Sequence, residues 1–169
     1  MKLELNDNLL YKPTIPFDWT NPPIDPEELV QSLGEAMCRL GGVGLSCNQV
    51  NLPYRVFVMG SPNDPDSIIP VFNPRIVSVS DHQEYADEGC LSIPGFIITI
   101  RRPTEIRIRM DTINGETDTA RFNGMTARVF SHEFDHMEGL DFRKRATRYH
   151  LEKANKNYKL YLRRMKRAA

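Results

Sequence analysis

Residues 130–139 read FSHEFDHMEG, and their spacing is the part of this chain that could do chemistry. His132 and His136 are four residues apart, about one helical turn, so both imidazoles project to one side and can share a cation. Glu133 lies beside them and can reach a water on that cation, which is the arrangement of metal-assisted hydrolysis. A catalytic metal needs a third protein ligand. Extended zinc-protease motifs supply it as a third histidine, but here the glycine is present, Gly139, and Phe142 stands at the histidine position. Glu138 points off the histidine stripe, and Glu152 lies in a basic tail. Upstream, DEGCLSIPGF (87–96) offers Cys90 in a short polar turn between strand-like segments. A thiolate with two imidazoles leaves one tetrahedral place for water, as a catalytic site requires. Cys38 and Cys47 compete weakly, because one lies on a helix and the other among small residues, where packing is the default.

These residues need elements to hold them. Asp25 reads as an N-cap followed by Pro26 and two glutamates, and Leu29, Leu33, Ala36, Met37 and Leu40 follow at helical spacing up to Gly41. Strand-like runs come next at 54–59, 68–72, 75–79, 96–100 and 105–110, with a further piece near TARF, separated by Pro, Asn, Asp and Gly. From Met125 the period turns helical, placing Met125, Val129, His132 and His136 on one stripe that Gly139 closes. A last helix is predicted over about residues 147–166, with Ala154, Tyr158, Tyr161, Leu162 and Met165 on one face. The expected fold class is α+β: an N-terminal helix, mainly antiparallel sheets around a central helix bearing the histidines, and an additional C-terminal helix. Residues 1–169 are expected to form a single catalytic domain, with 147–169 as the basic C-terminal helix.

The chain has 22 basic and 22 acidic residues, unevenly placed. Beyond Phe142 stand eleven Lys or Arg and one acid, Glu152, which puts the tail at +10 and the preceding 142 residues at −10. Such a tail suits an anionic partner, with RNA the default. Three scattered cysteines argue for a reducing compartment. No stretch reaches the roughly 18 apolar residues of a membrane span, and the N-terminus shows no signal-like apolar run, so the expectation is a cytoplasmic protein with no membrane and no DNA partner.

Three blocks occur in order: GVGLSCNQ (42–49), EGCLS (88–92) and HEFDH (132–136). Together they resemble the peptide deformylase family. One departure is visible, because Ser46 and Cys47 replace the usual pair of alanines. The resemblance implies removal of the formyl group from the N-terminal formyl-methionine of newly made polypeptides, with release of formate. It implies one divalent metal on Cys90, His132 and His136, with Fe(II) as the physiological ion and Ni(II) or Zn(II) able to replace it. Hydroxide formed at the metal would attack the formyl carbon, Glu133 acting as general base and then acid. Gln49 and the Leu91 N–H would hold the oxyanion. Gly42, Val43, Gly44 and Leu45, with Gly89, would pair with substrate as an added strand, and Val43, Leu91 and Val129 would line the methionine slot. Glu88 and Arg102 would pair to stiffen the turn that presents Cys90. Family members often place a substrate-touching basic residue where Ile97 and Ile98 lie here. Asp135 either orients a ligand or faces water, and Arg128, a charge beside an apolar pocket, is expected to snorkel outward. The partners implied are the formyl-methionyl nascent peptide and, through the basic helix, the ribosome.

Overall fold

The computed structural model describes residues 1–168; the last residue of the expected C-terminal helix, Ala169, lies outside them. The first helix, α1 (Pro26–Leu40), forms as its caps dictate. The Asp25 carboxylate accepts the Glu28 N–H, and Gly41, at φ 70, closes it in the left-handed conformation. Strands β1 (Gly44–Ser46), β2 (Val56–Ser61), β3 (Asp64–Val79), β6 (Glu105–Asp111) and β7 (Thr117–Asn123) make one antiparallel sheet in the order β1-β2-β3-β6-β7. A separate hairpin pairs β4 (Gln83–Cys90) with β5 (Ile93–Pro103). Helices α2 (Gly124–Met137) and α3 (Arg148–Ala168) complete the α+β fold.

Two expectations are corrected. The runs at 68–72 and 75–79 belong to one long strand, β3, whose register shifts between Phe72 and Arg75 where Asn73 takes φ 47. Asn and Pro in mid-run read as a turn, but the structure absorbs them as a bulge. The polar turn expected within residues 87–96 is confined to Leu91 and Ser92, because residues 83–90 form a strand and the next one starts at Ile93. Residues 83–90 lie in a two-stranded hairpin with most side chains exposed, so no apolar alternation marks them.

The sheet is covered unequally. β2 is buried on both sides: Val56 and Val58 pack with Leu29, Leu33 and Met37 of α1, whereas Phe57 and Met59 pack with Phe130 and Met137 of α2. On β6, Ile106 and Ile108 join the α2 core while Arg107 and Arg109 face solvent. A third core of Phe96, Ile98, Ile100, Phe142 and Ala154 joins the hairpin to α3. Tyr158 and Leu151 pack onto it, but Leu162 and Met165, expected on the packed face, are exposed. No helix among the described residues is long and apolar enough to cross a membrane.

Candidate metal centre

α2 carries His132, Glu133 and His136 inward, all buried. β4 ends at Cys90 with a register shift between Gly89 and Cys90, which breaks the ladder and aims the thiol at α2. Donor atoms of Cys90, His132 and His136 lie within 4.8 Å of one another, and Cys90 Sγ is 3.3 Å from His136 Nε2. Cys47 is buried and its thiol is pushed up by burial, and Cys38 is half-buried, so both pack as their positions suggested. Glu138 pairs with Arg55 at 2.6 Å and Glu152 with Arg148 at 2.8 Å, and neither carboxylate is among the converging donors.

The supports converge from distant segments. Arg102 grips Glu88 with two hydrogen bonds at 3.0 and 2.9 Å, and Glu88 Oε2 lies 3.1 Å from His132 Nδ1, which fixes that ring with Nε2 toward the ion site. Asp135 does not face water. It is buried and accepts from Arg102 at 2.7 Å and Arg145 at 2.6 Å. Arg128 does not snorkel outward either. It is 8% exposed and donates to Glu88 Oε1 at 2.8 Å, to the Ile100 carbonyl at 3.1 Å and to the Glu84 carbonyl at 2.7 Å. A second cation on Glu88, with two carbonyls in reach, satisfies the guanidinium better than the surface could.

Gln49 stands in the one-turn 3-10 helix Cys47–Gln49. Its Oε1 accepts the Ser46 N–H at 3.0 Å, leaving Nε2 3.4 Å from Cys90 Sγ. Ser46 thus orients the amide, a role hidden in the sequence, where it reads only as a small residue. Asn48, which the sequence reading also misses, donates to the His136 carbonyl at 2.6 Å and ties the first block to the end of α2. No local signal marks it.

A cleft of about 490 Å³ opens over the donors, lined by Gly42, Val43, Gly44, Gln49, Glu88, Gly89, Cys90, Leu91, Val129, His132 and Glu133 among others. Leu45 and Arg102 are not on its wall: Leu45 is buried in the α1 core, and Arg102 acts from behind Glu88. Gly44 allows the close approach, because a Cβ there would collide with the Glu133 carboxylate. Ile97 is 52% exposed while Ile98 is buried in the hairpin core.

Electrostatics separates the four groups. Burial pushes the Glu133 carboxyl up to about 7 against the pull of His132. Burial also works against ionised Glu88, but hydrogen bonds from His132 and Arg102 outweigh it and hold the carboxyl at about 2. Burial would lower His132, yet Cys90 and Glu88 hold it up at about 10; burial lowers His136 well below the usual range.

Fold and donor set define a class: α+β proteins with an H-E-x-x-H helix and a cysteine beside it, a donor set that could hold one metal ion. The chain belongs to the polypeptide deformylase family, whose model matches residues 3–152. It is 39% identical over 111 residues to a peptide deformylase of Thermotoga neapolitana, a match covering 66% of each chain, so it spans just under two thirds of that relative. It is 37% identical over 124 residues to the Arabidopsis thaliana peptide deformylase 1B, chloroplastic/mitochondrial, covering 72% of this chain and 45% of that one. Among solved structures, a plant peptide deformylase, PDF1B, superposes with a TM-score of 0.85 at 28% identity, covering 99% of this chain and 92% of that one. The Plasmodium falciparum peptide deformylase gives 0.81 at 27% identity, covering 98% and 97%.

The family is metal-dependent, and the residues here fit an ion. One soft thiolate and two imidazoles converge, one imidazole is anchored through its far nitrogen, and the buried Glu133 Oε2 has no partner. Because Cys90 and Glu88 help His132 keep its proton in the metal-free chain, and thiol and imidazole ligands must both be deprotonated, metal uptake is expected to release protons. Affinity should therefore rise with pH up to about 10. Titration calorimetry in buffers of differing ionisation enthalpy measures the release, and heats independent of buffer would contradict it.

Proposed function

We propose that this chain removes the formyl group from the N-terminal formyl-methionine of newly made polypeptides, releasing formate. The observation that carries the reading is the convergence of Cys90, His132 and His136 donors within 4.8 Å beside buried Glu133. When bound, the metal supplies Lewis-acid chemistry, polarising the formyl oxygen and acidifying a water near neutral pH. Glu133 takes the water's proton and delivers it to the leaving amine, which an amide requires because an amine anion is a poor leaving group. Gln49 Nε2, aimed by Ser46, and the Leu91 N–H meet the charge that develops on the formyl oxygen, a donor role worth roughly 3 kcal/mol in comparable sites. The free edge of β1 and the facing edge of β4 at Gly89 take the peptide as an added strand. Val43, Leu91 and Val129 receive the methionine side chain.

The finer assignments are an Fe(II) ion that Ni(II) or Zn(II) can replace, a cytoplasmic site of action, and docking of α3 on ribosomal RNA. The charge of the tail and the thiolate-imidazole set support them. The test is formate released from a short N-formyl-methionyl peptide by protein prepared without air and loaded with Fe(II) or Ni(II), with a chelator control. Chelator-sensitive release that is lost in Cys90→Ala supports the reading. Peptide-bond cleavage that survives Cys90→Ala would instead indicate a metalloprotease on the histidine pair alone.

A further inference from the structure

The outer face of the five-stranded sheet carries a charge pattern that the metal centre does not use. On β6, Arg107 and Arg109 point away from the α2 core into solvent. Arg75 of β3 stands directly opposite Arg109, and Arg121 of β7 directly opposite Arg107. Opposite residues in an antiparallel pair share a face roughly 5 Å apart, and residues two apart on one strand roughly 7 Å apart, so four guanidiniums form one patch. Like charges directly opposite each other weaken a sheet, and two such pairs lie side by side here. Counter-charges do not relieve them. Among the described residues only Arg121 has a carboxylate partner, Glu105 at 3.5 Å, and that pair is exposed. Asp111, at the end of the same face, is engaged by Trp19, Asn73 and Thr117.

The concentration is selective. The first 142 residues are net acidic and hold eleven Lys or Arg. Arg102 and Arg128 are buried and Arg55 is paired, so four of the remaining eight sit on this face. Helix α1 packs on β1 to β3 and α3 on β5, away from the outer side of β6 and β7. Beside Arg75 and Arg109 the surface dips into a polar recess of about 540 Å³ lined by Thr14, Asn73 and Thr117, with two carboxylates that are already engaged, Asp111 as above and Glu138 by Arg55 at 2.6 Å.

We infer that this face binds the phosphate backbone of RNA. Four arginines and no lysine favour phosphate, whose oxygens the planar guanidinium fork meets bidentately. Cations repeating along and across strands answer a polymer whose charges also repeat, and the recess offers hydroxyl and amide groups to sugar hydroxyls. The surface is distinct from the basic C-terminal helix, and the inference does not rest on the reaction proposed above.

The test uses the full, metal-loaded chain and a short labelled single-stranded oligoribonucleotide, read by fluorescence anisotropy across a salt series. The variant combines Arg75→Gln, Arg107→Gln, Arg109→Gln and Arg121→Gln. Its affinity is expected to fall about tenfold or more, with the slope of log affinity against log salt reduced by about 0.7 for each phosphate no longer neutralised. Formate release stays unchanged, and thermal stability holds or rises because the like-charge pairs are gone. Affinity and slope equal to wild type would overturn the inference, as would wild-type binding to anionic vesicles or polyaspartate without binding to RNA.

Discussion

Glu133→Ala is expected to lower turnover of a formyl-methionyl peptide by about 10³-fold while the metal stays bound. The residue is 4% exposed, and its Oε2 is buried without a partner. It is not one of the three converging donors, so its loss should leave the ion in place. The close approach of Gly44 holds it against the first block, with no side chain between them. Glu133→Gln keeps the shape and removes only the proton chemistry, so it should fall nearly as far as alanine. Turnover and metal content are measured on the same preparations. Normal turnover with metal retained would remove Glu133 from the mechanism.

The second large effect is at Glu88. This 7%-exposed carboxylate accepts from Arg102 and Arg128 and holds His132, so Glu88→Ala leaves Arg102 with Asp135 as its remaining carboxylate, Arg128 with only two backbone carbonyls, and His132 Nδ1 without its partner. Breaking a buried ion pair by removing one partner costs about 3–5 kcal/mol. Loss of the group that orients a ligating histidine weakens metal binding about 10–100-fold. Denaturant melts and metal competition read the two effects separately, and a variant within about 0.5 kcal/mol of wild type would show that the network contributes little. The pH dependence follows from the same carboxyl. Its folded-state value, about 2, is below the ordinary 4.5, so its contribution is fully present above about 4.5 and is lost as pH falls from there toward 2. Melts of the wild type should steepen in that window, and those of Glu88→Ala should not.

Legibility in the sequence tracks how local the cause is. The ends of α1 are readable because Asp25, Pro26 and Gly41 act within one turn of themselves. The histidine pair is readable because four residues fix a helical face, and Cys90 because no ligand stands downstream. Arg128 is misplaced by the sequence because Glu88, Glu84 and Ile100, its three acceptors, come from segments 28 to 44 residues away. β4 is missed, its last four residues reading as part of a turn, because its neighbour supplies hydrogen bonds rather than an apolar face. Asn48 and Arg145 give no signal, since each matters only through a partner that the fold delivers.

The hydrogen bond from Asn48 to the His136 carbonyl spans 88 residues, and it bears on the order in which this chain can fold. The GVGLSCNQ segment is synthesised early, yet the acceptor that locks it lies at the end of α2, and Arg145 must follow before Asp135 is satisfied. Contacts so distant in sequence impose their loop-closure cost before they stabilise anything. While still emerging during its own synthesis, this chain would therefore hold its earliest block unprotected until nearly the whole sequence is available, and amides of residues 44–49 should gain exchange protection together with those of α2.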